Sequence, residues 1–346
     1  MAPRRPTIID VAKHAGVSKS TVARVVGEDG SAVRESTYRR VQAAIEALGY
    51  ERNEVASSLR TDRTNIIMLA IPDITNPFWP DVARGVQDRI DREGYAVVFA
   101  NSDWEGQRER AYLGMARRSR FDAILINPIQ VTNDDLLATR IPTVLIGSGQ
   151  GYPGFDSVGS DSYGASTQAL DHLFSLGHRR IGLIRGLGSV VRVNRRGGSR
   201  LNGYLDFLQS NGLPLDDRLI VEVPFHQGGY QGMQQLLALD EPPSAIFAAN
   251  DELALGALQA AQAAGMRIPT DLSIVGLDDI YAASTSTPAL TTVSKPKYEI
   301  GQKAADFLLD RIHGRAPEAA RRHLYSCQLK VRQSTAPPPV GRSRYG

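Results

Sequence analysis

The stretch that decides the N-terminal fold reads Thr7-Ile-Ile-Asp-Val-Ala-Lys-His-Ala-Gly-Val-Ser-Lys-Ser-Thr-Val-Ala-Arg-Val-Val26. Its apolar residues recur at helical spacing on both sides of Ala15-Gly16-Val17, which predicts two short helices joined by a tight turn. Thr7 and Asp10 have the spacing of a capping box for the first helix, and Gly16 can end that helix.

The second predicted helix can be capped by Ser18, and its outward side carries Lys19, Ser20, Ala23 and Arg24. Two short helices crossed by a glycine turn are typical of a helix-turn-helix, whose second helix lies in the major groove of DNA. Arg24 can bond a guanine edge through two hydrogen bonds, which discriminates by about 1–3 kcal/mol. A generic helical hairpin with a solvent-facing arginine has the same spacing, so these residues alone leave both interpretations open.

Working outward from this stretch, a third helix is predicted over about residues 35–48, with Gly49 as its stop. From residue 66 onward apolar strands alternate with amphipathic helices. The predicted strands are 66–71, 96–100, 123–126, 143–146, 181–185, 219–223, 245–248 and 273–277. Repeated β-α-β order requires parallel sheets with helices on both faces. Two such runs, divided near Asp161, predict two doubly wound lobes with a cleft between them.

The amino-acid composition limits the classes of protein to which this chain can belong. Of 346 residues, 42% are hydrophobic and 22% are charged, which is ordinary for a globular protein of two or three units. The single cysteine, Cys327, excludes an internal disulfide and fits a reducing compartment. The N-terminus has no apolar region of a secretory signal, and no apolar run reaches the roughly 20 residues that cross a bilayer. We expect a cytoplasmic protein with no membrane partner.

The net charge of +3 is placed unevenly. Residues 1–63 hold 11 Lys and Arg against 8 Asp and Glu, so this segment accounts for the whole excess. A mild positive charge suits a polyanion partner, although a solvated surface has the same pattern.

Catalytic motifs are missing from the sequence. It contains no GxSxG, HExxH or GxxxxGK[ST], its six histidines lack metal-ligand spacing, and Cys327 is expected in a late strand without a motif. We therefore predict no enzyme activity, no cofactor and no metal site.

Short motifs in both halves of the chain point to one family. In the first 63 residues they are Asp10-Val11-Ala12, Ala15-Gly16-Val17-Ser18, Thr21-Val22, Arg24-Val25, Leu48-Gly49-Tyr50 and Asn53. Later ones are Asp73-Ile-Thr-Asn-Pro-Phe78, His172-Leu-Phe-Ser-Leu-Gly-His178, Arg200-Leu-Asn-Gly-Tyr204, Asn250-Asp251 and Val275-Gly-Leu-Asp-Asp279. The chain resembles the lac repressor and purine repressor family, and the resemblance extends over most of its length.

The resemblance implies an all-α helix-turn-helix headpiece (residues 1–50) and a hinge helix or linker (51–63), followed by a core like that of periplasmic binding proteins (64–335). The core would consist of lobe 1, about 64–161 plus 293–322, and lobe 2, about 162–292 plus 323–335. A disordered tail is expected over 336–346.

The resemblance also implies how DNA is bound: a dimer on a pseudo-palindromic operator, with hinge helices that fold only there. Two copies of Leu59 would wedge into the minor groove and bend the site. The expected DNA-binding residues are Thr7, Ser18, Lys19, Ser20, Thr21, Arg24, Tyr50, Asn53, Val55, Ala56 and Leu59. The tail lacks the leucine heptads of a tetramer, so a dimer is predicted.

For the cleft, the resemblance implies a small-molecule effector, a sugar or sugar derivative, that controls DNA affinity. The expected effector-binding residues are Phe78, Trp79, Asp161, Arg195, Arg196, Arg200, Asn250 and Asp278. Three have plainer alternatives: Trp79 as core, Asn250 as a helix cap and Asp278 as part of a turn. The arginine-rich loop before Arg200 suits an anionic effector, a sugar acid or sugar phosphate. A solvated surface loop has the same composition, and Asp278 suits neutral hydroxyl groups, so both kinds of effector stay open.

Several points depart from the family or stay open. Arg34 stands where the family has a serine cap, and Lys295 precedes Pro296 where the family often has glutamine. A sugar-binding transport protein shares the two-lobed core but has no use for residues 1–63. We expect a repressor, although the sequence does not separate a repressor from an activator.

Overall fold

The computed structural model describes residues 6–26, 33–51, 63–186, 198–224 and 228–339. The chain forms two compact units, Met1–Thr64 and Asn65–Gly346. The first contains the helices α1 (Ile8–Ala15), α2 (Lys19–Val26) and α3 (Glu35–Leu48). The predicted helices of the headpiece are therefore confirmed.

The ends of these helices follow from local chemistry. The backbone N–H of Thr7 donates a 2.8 Å hydrogen bond to the Asp10 carboxylate, and the Thr21 N–H donates to Ser18 Oγ at 3.1 Å. Gly16 and Gly49 end α1 and α3 with φ of 62° and 58°, a left-handed conformation that glycine adopts without steric cost. Arg34 precedes α3 without a capping side-chain hydrogen bond.

The second unit contains two six-stranded sheets. The strands of the first sheet are β1 (Ile66–Ile71), β2 (Ala96–Asn101), β3 (Ala123–Ile126), β4 (Thr143–Ile146), β5 (Asp156–Ser160) and β11 (Arg322–Tyr325). Those of the second are β6 (Ile181–Gly186), β7 (Ile220–Val223), β8 (Ala245–Ala248), β9 (Ser273–Asp278), β10 (Thr291–Ser294) and β12 (Gln328–Lys330). The first sheet has the order β11-β5-β4-β3-β1-β2 and the second β12-β10-β9-β8-β6-β7. All neighbouring strands run parallel except β10 and β12.

Helices cover both faces of each sheet, because successive strand residues point to opposite sides. They are α4 (Phe78–Ile90), α5 (Gly106–Arg118), α6 (Asn133–Leu137), α7 (Ser162–Ser175), α8 (Gly198–Ser210), α9 (Gly228–Leu237), α10 (Asp251–Ala263), α11 (Tyr281–Thr285) and α12 (Lys297–Ile312). In β1, Ile67 and Leu69 pack in the cluster formed with α4 and α12, whereas Met68 and Ala70 pack in the cluster formed with α5. The predicted doubly wound α/β core is confirmed.

Four strands lie outside the eight predicted strand ranges: β5, β10, β11 and β12, the last two on either side of Cys327, where a late strand was expected. They are short and polar, and β5 buries the carboxylate of Asp156 between Arg311 and Arg321. The chain crosses between lobes slightly later than predicted, because β10 pairs with β9 as far as Ser294 and β11 pairs with β5 as far as Tyr325.

The C-terminal segment also differs from the prediction. The Ala336 N–H donates to Ser273 Oγ at 3.0 Å, and the Ala336 carbonyl lies 2.9 Å from His178 Nε2, so this residue is bound rather than disordered. Residues 340–346 lie outside the described part of the chain. Cys327 lies between β11 and β12 rather than in a strand. Among the described residues, no helix is long and apolar enough to cross a membrane.

Candidate functional site

The helix α2 presents a polar face to solvent. Lys19, Ser20 and Arg24 are exposed, whereas Val22 and Val25 are buried in the headpiece core. This division follows the helical period, which places residues three and four apart on the same side. Lys19, Ser20 and Arg24, which are predicted to contact DNA, therefore lie outside the apolar core of the headpiece.

Hydroxyl groups gather at the N-terminus of α2. Ser18 Oγ lies 2.7 Å from Ser20 Oγ and 2.8 Å from Thr21 Oγ1. A helix N-terminus is a favourable place for an anion such as a backbone phosphate. Thr7 and Tyr50 are half-buried, with Tyr50 packed on the headpiece core. The hinge candidates Asn53, Val55, Ala56 and Leu59 lie outside the described residues.

In the core, Asp278 ends β9 at the carboxyl edge of the second sheet. Its side chain pairs with Lys295, whose Nζ lies 2.8 Å from Asp278 Oδ1. The two side chains are only 5% and 2% exposed, respectively. Asp278 has a φ of 120°, so the strand ends in a backbone conformation that non-glycine residues rarely adopt.

Lys295 was not among the predicted effector-binding residues. Burial and the positive charge of Arg200 lower the pKa of Lys295 to about 8, against the opposing attraction of Asp278. The Lys295 ammonium also lies 5.4 Å from the centroid of the Phe78 ring. The structure therefore brings Lys295, Arg200, Asp278 and Phe78 together. The signal in the sequence was the replacement of the family's glutamine by lysine before Pro296.

A second lysine holds the backbone of the same turn. Lys297, at the start of α12, donates hydrogen bonds from Nζ to the carbonyls of Asp278 and Asp279 at 2.8 and 2.9 Å. Its Nζ also lies 3.7 Å from the Asp81 carboxylate of α4. Because α4 and α12 pack on the first sheet and β9 belongs to the second, Lys297 connects the two lobes.

The two predicted aromatic residues have different surroundings. Trp79 is 6% exposed and packs in the core of the first lobe, the position that its plainer alternative describes. Phe78 is half-buried and meets the Trp79 ring edge to face, with centroids 5.0 Å apart. Contact with Trp79 fixes the ring of Phe78, and Phe78 is the aromatic residue whose ring lies near the Lys295 ammonium.

Asn250 and Asp161 both cap helices. Asn250 Oδ1 accepts a hydrogen bond from the Leu253 N–H at 2.9 Å, and Asp161 Oδ1 accepts one from the Gly164 N–H at 2.9 Å. Asn250 is buried and Asp161 is exposed. One oxygen of each side chain is therefore already engaged in helix capping.

A buried carboxylate lies behind this edge of the sheet. Asp251 accepts hydrogen bonds from Thr292 Oγ1 at 2.5 Å and from the Ile280 N–H at 2.9 Å. Burial, and then the negative charge of Asp278, raise the pKa of Asp251 to about 7. Asp251 thus fastens α10, β10 and the segment after β9 to one another.

Arg200 lies on α8 and is half-buried. Its Nε is buried without a hydrogen-bond partner, and the charge of the Arg200 side chain contributes to lowering the pKa of Lys295. Arg195 and Arg196, the other predicted arginines, lie outside the described residues.

A cavity of about 680 Å³ opens where the chain crosses between the lobes. Its wall includes Lys295, Lys297, Ser326 and Cys327. No group of three or more His, Cys, Asp or Glu side chains that could hold a metal occurs among the described residues.

Two families match the chain. Residues 7–53 match the family described as "Bacterial regulatory proteins, lacI family". Residues 170–335 match the "Periplasmic binding protein-like domain". These matches fall on the headpiece and on the second half of the core.

Relatives match over nearly the whole length. The HTH-type transcriptional regulator DegA of Bacillus subtilis is 33% identical over 344 residues, covering 96% of this chain and 99% of DegA. The HTH-type transcriptional repressor PurR of Proteus mirabilis is 35% identical over 340 residues, covering 96% and 98%. Both relatives are regulators of transcription, the class that the sequence predicts.

Solved structures show the same architecture. The lac repressor dimer bound to operator and the anti-inducer ONPF is 28% identical, with a TM-score of 0.82 over 96% of this chain and all of that one. The complex of the transcriptional regulator CelR with cellobiose is 30% identical, with a TM-score of 0.70 over 95% of this chain and 100% of CelR. The chain therefore belongs to the lacI family of bacterial regulatory proteins, DNA-binding regulators of transcription with a periplasmic-binding-protein-like domain.

Proposed function

We propose that this protein is a cytoplasmic repressor that binds a pseudo-palindromic operator as a homodimer and is controlled by a sugar or sugar derivative in the cleft of its core. The observation that carries the proposal is the exposed face of α2 with Lys19, Ser20 and Arg24. Such a face has the chemistry to read base edges in the major groove.

Dimeric binding follows from the size of the reading surface. One headpiece contacts few bases, and two related by a two-fold axis add their contributions on two half-sites. The lac repressor structure matched above is a dimer on its operator. In this proposal Tyr50 and Asn53 contact DNA near the hinge, Val55 and Ala56 pack between the paired hinges, and Leu59 enters the minor groove.

The effector part rests on the residues at the carboxyl edges of the sheets, the expected binding place in open α/β folds. Phe78 offers a ring face, while Arg200, Asn250 and Asp278 offer polar groups. Asp161, Arg195 and Arg196 complete the proposed set. The neighbour CelR is described with cellobiose, which supports a sugar or sugar-like ligand.

Selection of binding sites from random DNA by the full-length protein tests the DNA part. We expect an enriched inverted repeat and, by light scattering, two chains per duplex. Enrichment of no motif, or of a single half-site bound by one chain, would contradict the proposal. A reporter with the site placed over or upstream of a promoter then separates repression from activation.

A thermal-shift screen tests the effector part. Sugars, sugar acids, sugar phosphates and purines are added to the full-length protein, and each hit is then titrated into the operator complex. A true effector changes operator affinity, whereas a compound that binds without changing it is not the regulator.

A further inference from the structure

We propose that the effector carries an anionic group, a carboxylate or a phosphate, which binds to Lys295 and Arg200. The inference rests on the proposed function, because it assigns a charge to the ligand of the same cleft. It identifies Lys295 as the residue that decides this specificity.

The charges around Lys295 do not balance. Arg200 and Lys295 are cations; Asp278 Oδ1 lies 2.8 Å from Lys295 Nζ and pairs with this lysine, while the charge of Arg200 lowers the pKa of Lys295. Two positive charges and one negative charge leave an excess of one positive charge. A buried excess charge is costly unless a counter-ion accompanies it.

The nearby acidic groups are engaged elsewhere or exposed: Asp161 is exposed, and its Oδ1 caps α7 through the Gly164 N–H. Asp279 forms its own ion pair with Arg332 at 2.5 Å, and Asp251 is held by Thr292 and Ile280, with burial favouring its neutral form. The Lys297 ammonium is shared between two carbonyls and Asp81.

Two further ionisable groups, Arg185 and Cys327, leave the charge of this cluster unchanged. Arg185 lies 3.0 Å from Glu222. The Cys327 thiol has its pKa raised by burial, so it is neutral and supplies no counter-charge. The remaining positive charge therefore belongs to Lys295 and Arg200.

Arg200 offers an unused hydrogen-bond donor at this place. Its Nε is buried without a partner, and a guanidinium binds carboxylate and phosphate oxygens through paired hydrogen bonds. The Lys295 ammonium supplies a point charge beside it. Phe78, near the same ammonium, provides the apolar surface on which a sugar ring stacks.

The lysine also changes what Asp278 can do. Its Oδ1 lies 2.8 Å from the Lys295 ammonium, so this oxygen is less available to accept hydrogen bonds from the hydroxyl groups of a neutral sugar. An anionic group bound to Lys295 would neutralise part of the lysine's charge in place of Asp278. Asp278 could then accept a hydrogen bond from a hydroxyl group of the ligand. Both effects favour the charged ligand.

Calorimetry on the full-length protein with matched probes tests the inference. The pairs are D-glucose with D-glucuronate and D-ribose with D-ribose 5-phosphate, and inorganic phosphate is the minimal anion. All titrations are made at constant ionic strength. In the wild type we expect the anionic member of at least one pair to bind ten or more times more tightly. The pair that shows the preference distinguishes a carboxylate from a phosphate site.

Two neutral variants locate the preference. Lys295→Gln and Arg200→Gln each remove one positive charge and should reduce the preference to less than threefold, while Lys295→Arg should retain it. Arg200→Gln leaves the Lys295–Asp278 pair intact, so it serves even if Lys295→Gln fails to fold. Lys330→Gln is the matched control and should behave as the wild type.

Three results would overturn the inference: equal or tighter binding of the neutral members by the wild type, an undiminished anion preference in both variants, or binding of no anion. Operator binding is measured on the same samples. A protein that selects an operator and responds to a neutral sugar would keep the proposed function and lose only the charge assignment.

Discussion

The Lys297 ammonium donates a 2.8 Å hydrogen bond to the carbonyl of Asp278, and this contact joins the first lobe to the edge of the second. The lysine is 9% exposed and is a residue of α12, which packs on the first sheet. Asp278 is the carboxylate proposed to meet the effector. A ligand that moves Asp278 therefore acts directly on a connection between the lobes.

From this relationship we predict that Lys297→Met reduces allosteric coupling. The variant keeps the length of the side chain but loses both carbonyl hydrogen bonds and the attraction to Asp81. Coupling between effector and operator is typically about 1–3 kcal/mol, and we expect most of it to be lost. Operator titrations with and without effector measure it, and Lys303→Met on the same helix is the control. Unchanged coupling would show that the lobes communicate through other contacts.

For DNA recognition, we predict that Arg24→Ala loses discrimination between operator and random DNA. Loss of one bidentate contact to a guanine costs about 1–3 kcal/mol per half-site. Arg40→Ala removes another exposed arginine of the headpiece and is the matched control. Competition binding gives the ratio of specific to non-specific affinity. If Arg24→Ala keeps the full ratio, α2 does not read the sequence through this residue.

At the hinge, Leu59→Ala is predicted to weaken operator binding and to reduce DNA bending. The smaller side chain cannot hold a base step open, so the energy of unstacking is no longer offset by contacts made on the bent site. Circular-permutation gel mobility and titration measure the two effects. An unchanged bend angle would exclude the wedge role of Leu59.

Stability of the core is predicted to depend on Asp156. Its buried carboxylate lies 2.7 Å from both Arg311 and Arg321, and these hydrogen bonds hold its pKa below the ordinary value despite burial. Because the pKa of Asp156 is lowered in the folded state, its ionised carboxylate contributes to the free energy of unfolding above the ordinary pKa of 3.8. This contribution to stability is lost as the pH falls below that value.

The corresponding variant, Asp156→Asn, should destabilise the core by roughly 3 kcal/mol at neutral pH, because it leaves two arginines without their anion. The difference from wild type should shrink as the pH falls below 3.8. Urea unfolding at several pH values measures it, and Asp122→Asn is a more exposed control. A difference that stays constant with pH would show that the charge of Asp156 is not responsible.

The sequence by itself determined the headpiece and the apolar strands. Gly16, Gly49 and the cap at Ser18 act within a few residues, and helical or alternating periodicity is a local property, so neighbouring side chains suffice to predict these elements. The polar strands β5 and β11 were outside the predicted strand ranges because they are stabilised by partners distant in the chain. One example is the ion pairing of Asp156 with Arg311 and Arg321.

The arrangement of the proposed effector site depends on the tertiary structure. Short motifs placed Arg200, Asn250 and Asp278 at strand and helix ends, but only packing shows that Trp79 belongs to the core and that Asn250 caps α10. Lys295 follows Asp278 by 17 positions in sequence, and parallel pairing of β10 with β9 brings the two side chains to 2.8 Å. Burial makes the charge of Lys295 energetically important, because the cost of a buried charge depends on its surroundings in the fold rather than on its neighbours in the sequence.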